Sequence, residues 1–193
     1  MATLFVDKVD PQSGTSLEIG SSGDTITVPS GATINVAGTL NKGGVAVANT
    51  PYFFAYLGSD TSLSNNTVTK APINTEVIDS DGCYDNSTNY RFTPTTSGKY
   101  FVYGSARLNS NGGRTYAART QITKNGSNVV GSQWNWHDST SYTALPTVSA
   151  IVDMNGSSDY LELQVFMEWH TSQTLTLSNY LNGTYFGAYK LIG

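Results

Sequence analysis

After Thr50 the chain is cut by turn-forming residues at short intervals. Asp81-Gly82, Ser97-Gly98, Asn111-Gly112-Gly113, Asn125-Gly126, Asn155-Gly156 and Asn182-Gly183 each end one run and start another. Such pairs supply the positive φ values that tight hairpins need. Between them the side chains alternate with period 2, and no amphipathic run of useful helical length occurs. The clearest strand is 160–170: Leu161, Leu163, Val165, Met167 and Trp169 share one face, while Glu162, Gln164, Phe166, Glu168 and His170 share the other. Phe166 amid the polar set implies partial cover on the second face too. Further strands are expected at 51–58, 99–108, 114–124, 148–154, 173–178 and 184–192. Many short strands with such turns predict an all-β sandwich, barrel or jelly roll.

Before Asn49 the residues are small and aromatic rings nearly absent. Here Gly-Asp-Thr-Ile-Thr-Val at 23–28 is followed eight residues later by Gly-Ala-Thr-Ile-Asn-Val at 31–36. Ile26 matches Ile34 and Val28 matches Val36. Each copy reads as a short strand, with Pro29, Ser30 and Gly31 turning between them, and Leu17, Ile19 and Leu40 extend the apolar row. So thin a ribbon has no second layer, and ordering it costs about 1–2 kcal/mol per residue. Three copies wound about an axis would hide Ile26, Val28, Ile34 and Val36 in a central seam. The expected units are a β-rich trimeric stalk or attachment segment, residues 1–48, and a head, residues 49–193.

Composition narrows the function. With 10 Lys+Arg against 14 Asp+Glu and a net charge of −4, a general basic field for nucleic acid is excluded. Only 12% of residues are charged, whereas 38% are hydrophobic, including 7 Phe, 12 Tyr and 3 Trp, enough for a core. No apolar run approaches the roughly 20 residues of a membrane helix. Asp7, Lys8 and Asp10 interrupt any signal-peptide core. Cys83 stands alone and has no internal disulfide partner, which fits a reducing cytoplasm. The Ser/Thr/Asn/Tyr-rich surface suits exposure outside cells. A virion component, made in host cytoplasm and released by lysis, satisfies both.

From Pro51 to Gly193 the sequence resembles the globular head of complement component 1q and its tumour-necrosis-factor-like relatives. Pro51-Tyr-Phe-Phe-Ala-Tyr-Leu57 is similar to the opening strand and Ile73-Asn-Thr-Glu-Val-Ile-Asp79 to the second. Gly82-Cys-Tyr-Asp85, Tyr90-Arg-Phe-Thr-Pro94 and Ser97-Gly-Lys-Tyr-Phe101 resemble the family's most recognisable run. Ile122-Thr-Lys-Asn-Gly126 is similar to its Lys-Asn-Gly hairpin, and Tyr185-Phe-Gly-Ala-Tyr-Lys-Leu191 to its last strand. Phe92 and Phe101 are expected to fill the core, with Gly98 and Gly126 in turns of positive φ. The resemblance implies a ten-stranded jelly roll assembled as a homotrimer, with aromatic residues against the threefold axis. In place of the collagen stalk usual before such heads, residues 3–40 resemble leaders of virion proteins on marine tailed phages.

Catalysis finds little support. His137 and His170 are the two histidines, and Glu168 with His170 reads as a polar pair on a strand face without a Gly-x-Ser-x-Gly elbow. Cys83 has no adjacent His or Lys to stabilise a thiolate, and phosphate loops are missing. Asp79, Asp81 and Asp85 offer oxygen ligands like half a calcium loop, but they lack the downstream bidentate Glu and read first as turn formers. No metal or cofactor is expected. The most informative stretch is Gln133-Trp-Asn-Trp-His-Asp-Ser-Thr-Ser-Tyr142. Trp134, Trp136, His137, Asp138 and Tyr142 combine flat rings with polar groups, as sugar sites do, and the same rings would also serve as trimer-interface anchors. The expectation is a non-enzymatic phage virion protein, a trimeric tail fibre or fibre tip. Its first segment binds other virion proteins and its head binds host surface polysaccharide. The alternative is a capsid or tail decoration protein that meets only virion partners. Neither nucleic acid nor membrane insertion is expected.

Overall fold

The computed structural model describes residues 9, 11–42, 45–110, 115–136, 143–169 and 174–192. They fall into two units, Met1–Ala46 and Val47–Gly193.

In the first unit the eight-residue repeat is a repeat of turns. Asp24 N–H donates to Ser21 O and Ala32 N–H to Pro29 O, both at 3.0 Å. Gly23 and Gly31, third in each turn, have φ of +96° and +86°, the left-handed backbone a type II turn requires there. Residues 24–28 and 32–36 form no ladder, so the two expected strands do not exist within one chain. The physical reason is that an extended segment without a neighbour has no partner for its amides. Ile26, Val28, Ile34 and Val36 all stand exposed, Ile34 by 65%. A two-residue ladder, β1 (Asn41–Lys42) with β2 (Val45–Ala46), closes the unit.

The head is all β. In chain order its strands are β3 (Tyr52–Tyr56), β4 (Thr61–Leu63), β5 (Thr69–Lys70), β6 (Thr75–Asp79), β7 (Tyr84–Asp85), β8 (Arg91–Phe92), β9 (Gly98–Ser105) and β10 (Arg107–Ser110). Then come β11 (Thr115–Lys124), β12 (Ser127–Asn135), β13 (Thr143–Ala144), β14 (Thr147–Met154), β15 (Leu161–Trp169), β16 (Leu175–Ser178) and β17 (Tyr185–Lys190). These exceed the ten strands of a jelly roll because loops carry short ladders and because the run expected at 99–108 breaks at Ala106. There β9 leaves one sheet and β10 joins another. One five-stranded sheet runs β14-β9-β17-β3-β6 and one six-stranded path runs β12-β11-β15-β8-β7 with β5 beside β15. A four-stranded sheet, β13-β10-β16-β4, completes the head. Among the described residues all pairings are antiparallel.

The core lies between the inward faces of the five- and six-stranded sheets. Phe53 of β3 stacks on Tyr84 and Phe92, ring centroids 4.4 and 4.6 Å apart, and meets Phe186 edge-on at 5.1 Å. Leu161, Leu163, Val165, Met167 and Trp169 of β15 are all buried, as their alternation requires. Gly98 and Gly126 have positive φ. Phe92 is fully buried, but Phe101 is not in the core. Its neighbours Tyr100 and Val102 take the inward positions, and Phe101 faces out.

Register fixes the ends of the head. Tyr52 pairs with Tyr189, and Lys190 N–H reaches the carbonyls of Asn49 and Pro51, so both terminal stretches of the unit lie at one end of the five-stranded sheet. Tyr56, Tyr185, Ser105 and Thr147 pair at the other end.

Candidate functional site

The outward face of the five-stranded sheet carries side chains that a solvated face ordinarily lacks. Three rows cross it. Ile151, Phe101, Tyr189 and Tyr52 form the first; Ser149, Tyr103, Gly187, Phe54 and Ile78 the second; Thr147, Ser105, Tyr185 and Tyr56 the third. Cross-strand neighbours on one face sit within ring reach, and here they touch. Phe101 lies 5.9 Å from Tyr103 and 5.5 Å from Tyr189; Phe54 lies 6.4 Å from Tyr103 and 5.9 Å from Tyr185. Tyr103 is the hub. Burial by this ring cluster pushes its phenol pKa up, and the nearby Tyr185 and Tyr189 add to the shift. A recess of about 340 Å³ opens between Tyr52, Phe54, Ile78, Tyr103 and Tyr189. The face carries seven aromatic rings together with exposed Ile78 and Ile151. A patch of this kind marks an association surface.

The tryptophans lie elsewhere. Trp134 pairs with Ala118, whose side chain is fully buried, so Trp134 and Trp136 point to the core side of the six-stranded sheet. Because β12 is an edge strand, Trp134 keeps 45% of its surface in water, while Trp136 packs against the core. The two rings meet edge-on at 6.0 Å. His137, Asp138 and Tyr142 lie outside the described residues, as does His170 of the Glu168 pair.

The acidic residues near Cys83 are engaged in local turns. Asp79 Oδ2 accepts Tyr84 N–H at 2.7 Å and Oδ1 accepts Asp81 N–H at 3.3 Å. Asp85 accepts the backbone N–H groups of Thr88, Ser87 and Asn89, together with the Asn89 amide. These hydrogen bonds, Thr88's and Ser87's foremost, hold its carboxyl well below the usual carboxylate range. Among the described residues no three His, Cys, Asp or Glu side chains gather as a metal site would. Cys83 is buried, and desolvation raises its thiol pKa, the opposite of an activated nucleophile.

No family model matches the chain, and no curated protein does. Solved structures do. The globular domain of zebrafish complement 1qA aligns over 73% of this chain and 96% of its own, at 12% identity and a TM-score of 0.51. Murine APRIL aligns over 73% of this chain and 98% of its own, at 14% identity and a TM-score of 0.52. The head has the complement 1q and tumour-necrosis-factor fold. In this complement-like head the ring-bearing sheet is the feature that sequence reasoning under-weighted. Its strands are far apart in the chain, and only pairing brings their outward positions together. The signal was present as Tyr52, Phe54 and Tyr56 at every second residue.

Proposed function

We propose that the chain is a homotrimeric structural protein of a phage virion, in which residues 1–48 serve as a stalk or attachment segment and the complement-like head binds a glycan on the host surface. One observation carries the assembly: the seven-ring outward face of the five-stranded sheet, which a single chain leaves partly in water. Association through such a face removes apolar area worth about 25 cal/mol per Å². Three copies are what the resemblance to complement heads implies. The exposed row of Ile26, Val28, Ile34 and Val36 supports association as well, since a seam shared between copies would bury it.

The work of the head is binding without turnover. Three identical heads on one stalk multiply weak contacts into avidity, the arrangement that adsorption to a repetitive polysaccharide uses. The virion setting rests on residues 3–40, on the lone buried Cys83 and on the low charge of the chain. The Ile26 to Val36 row would equally well meet another virion protein, and this favours, as second reading, a capsid or tail decoration protein without a receptor. Light scattering on the purified chain tests the assembly, with a mass three times 20.7 kDa expected. A stable single-chain species at working dilution overturns it. A glycan array then separates receptor binding from decoration.

A further inference from the structure

Residues 179–183 join β16 to β17 at the end of the five-stranded sheet remote from Asn49, and their backbone is fixed from several sides. Asn179 N–H donates to Asp60 Oδ1 at 2.7 Å, and the Asn179 amide to Gly58 O at 3.0 Å. Asn182 and Gly183 N–H close on Asn179 O and Tyr180 O. Thr184 Oγ1 donates to Ser178 O while accepting Arg107 N–H. This frame holds Leu181 and Asn182 at φ of +54° and +50°, a left-handed backbone disfavoured for a side chain as bulky as leucine. The side chains so presented are apolar and in water: Tyr180 is 58% exposed and Leu181 83%. Exposed Leu145 stands beside Gly183. No burial of Leu181 in the head offsets the strain, and strain of this kind gathers at binding surfaces.

Arg107 supplies the charge. Its guanidinium lies 4.7 Å from the Tyr180 ring centroid, and its Nε is buried without a hydrogen-bond partner. Lys70, Arg91, Lys99 and Lys124 each pair with a carboxylate; among the described residues Arg107, Arg119 and Lys190 do not, and of these three only Arg107 lies beside the exposed Tyr180. We infer that Arg107, Tyr180 and Leu181 form a site for an acidic sugar, a pyranose bearing a carboxylate. The C–H face of the sugar stacks on Tyr180 and Leu181 while its carboxylate pairs with the guanidinium. This inference rests on the glycan-binding reading and names the sugar class.

Calorimetric titration of the full chain with oligogalacturonate, oligoglucuronate and sialyllactose, against neutral galacto-oligosaccharides, tests it. Acidic sugars bind and neutral ones do not, and Tyr180→Ala and Arg107→Gln each weaken binding about tenfold, the loss of one charge-assisted or stacking contact, with the trimer intact. Leu181→Gly relaxes the left-handed backbone, so the melting temperature rises by roughly a few degrees while binding weakens. Acidic-sugar binding that survives both Tyr180→Ala and Arg107→Gln overturns the site but leaves glycan binding by the head standing. No binding of any acidic sugar by the wild-type chain overturns the site, and an empty glycan array overturns the broader reading as well. Loss of the trimer in Tyr180→Ala, or a lower melting temperature in Leu181→Gly, assigns these side chains to packing and overturns the site.

Discussion

The Tyr103 ring lies across Gly187: a Cβ on that glycine would sit 2.5 Å from the ring's Cζ and hydroxyl oxygen. Gly187 has no positive φ, so its glycine is required by this close approach alone. Gly187→Ala is therefore expected to swing Tyr103 out of its contacts with Phe54, Phe101 and Tyr185 while leaving the inward core intact. Overpacking of this kind costs about 1–3 kcal/mol. In the proposed trimer the check is dissociation against concentration, where Gly187→Ala dissociates at higher concentration than wild type with an unchanged monomer circular-dichroism spectrum.

Gly156 and Gly82 make a matched pair for a second prediction. Both have left-handed backbone, at φ +71° and +65°. A Cβ at Gly82 meets nothing within 4 Å, whereas one at Gly156 falls 2.2 Å from the Ser97 backbone nitrogen. Gly82→Ala should cost about 1–2 kcal/mol, the left-handed penalty alone. Gly156→Ala should cost distinctly more, because rigid backbone must move. Urea midpoints of the two variants decide it, and equal midpoints would refute the close packing of the 154–159 turn on the 96–97 turn.

Asp159 predicts an acid-sensitive tie between two hairpins. Its carboxylate accepts Lys124 Nζ at 2.8 Å, the Asn125 amide at 2.8 Å and Asn155 N–H at 2.9 Å. The Lys124 and Asn125 hydrogen bonds lower its pKa to about 2. A carboxyl whose folded pKa lies below the unfolded value of about 3.9 stabilises the fold above that value. The contribution is lost as pH falls through the folded pKa, so stability should decline between about pH 4 and pH 2. Asp159→Asn should flatten that part of the stability curve, as thermal melts in steps of pH will record.

Ile34→Asp tests the stalk. If the apolar row is a threefold seam, the substitution buries three like charges together and lowers trimer melting sharply. In a single chain the position is 65% exposed, so a monomer would tolerate the change within about 0.5 kcal/mol. An unchanged trimer melt removes the seam.

Most turns were readable in advance because their chemistry is local: Gly31, Gly82, Gly98, Gly126 and Gly156 all take positive φ, and a missing Cβ acts at its own position. Gly23 was expected to open a strand and instead sits in a turn, and at Asn182-Gly183 the left-handed residues are Leu181 and Asn182, with Gly183 at φ −70°. The inward row of β15 was readable for the same kind of reason, since polar residues on one face mark the other as core. In β9 that mark is missing. Tyr100, Phe101, Val102 and Tyr103 are apolar on both faces, so nothing in the run says that Tyr100 is buried and Phe101 is not until β14 and β17 pair beside it. β12 was absent from the period-2 reading, because an edge strand of mostly Ser, Asn, Val and Gly needs little apolar pattern to form; only the hairpin resemblance at 122–126 implied it. Arg107 meets Tyr180 only because β10 and β16 pair Arg107 with Ser178. Local sterics and period-2 burial are written residue by residue along the chain. The aromatic face and the Arg107 site are products of register, a relation between distant segments that exists once the sheets have closed.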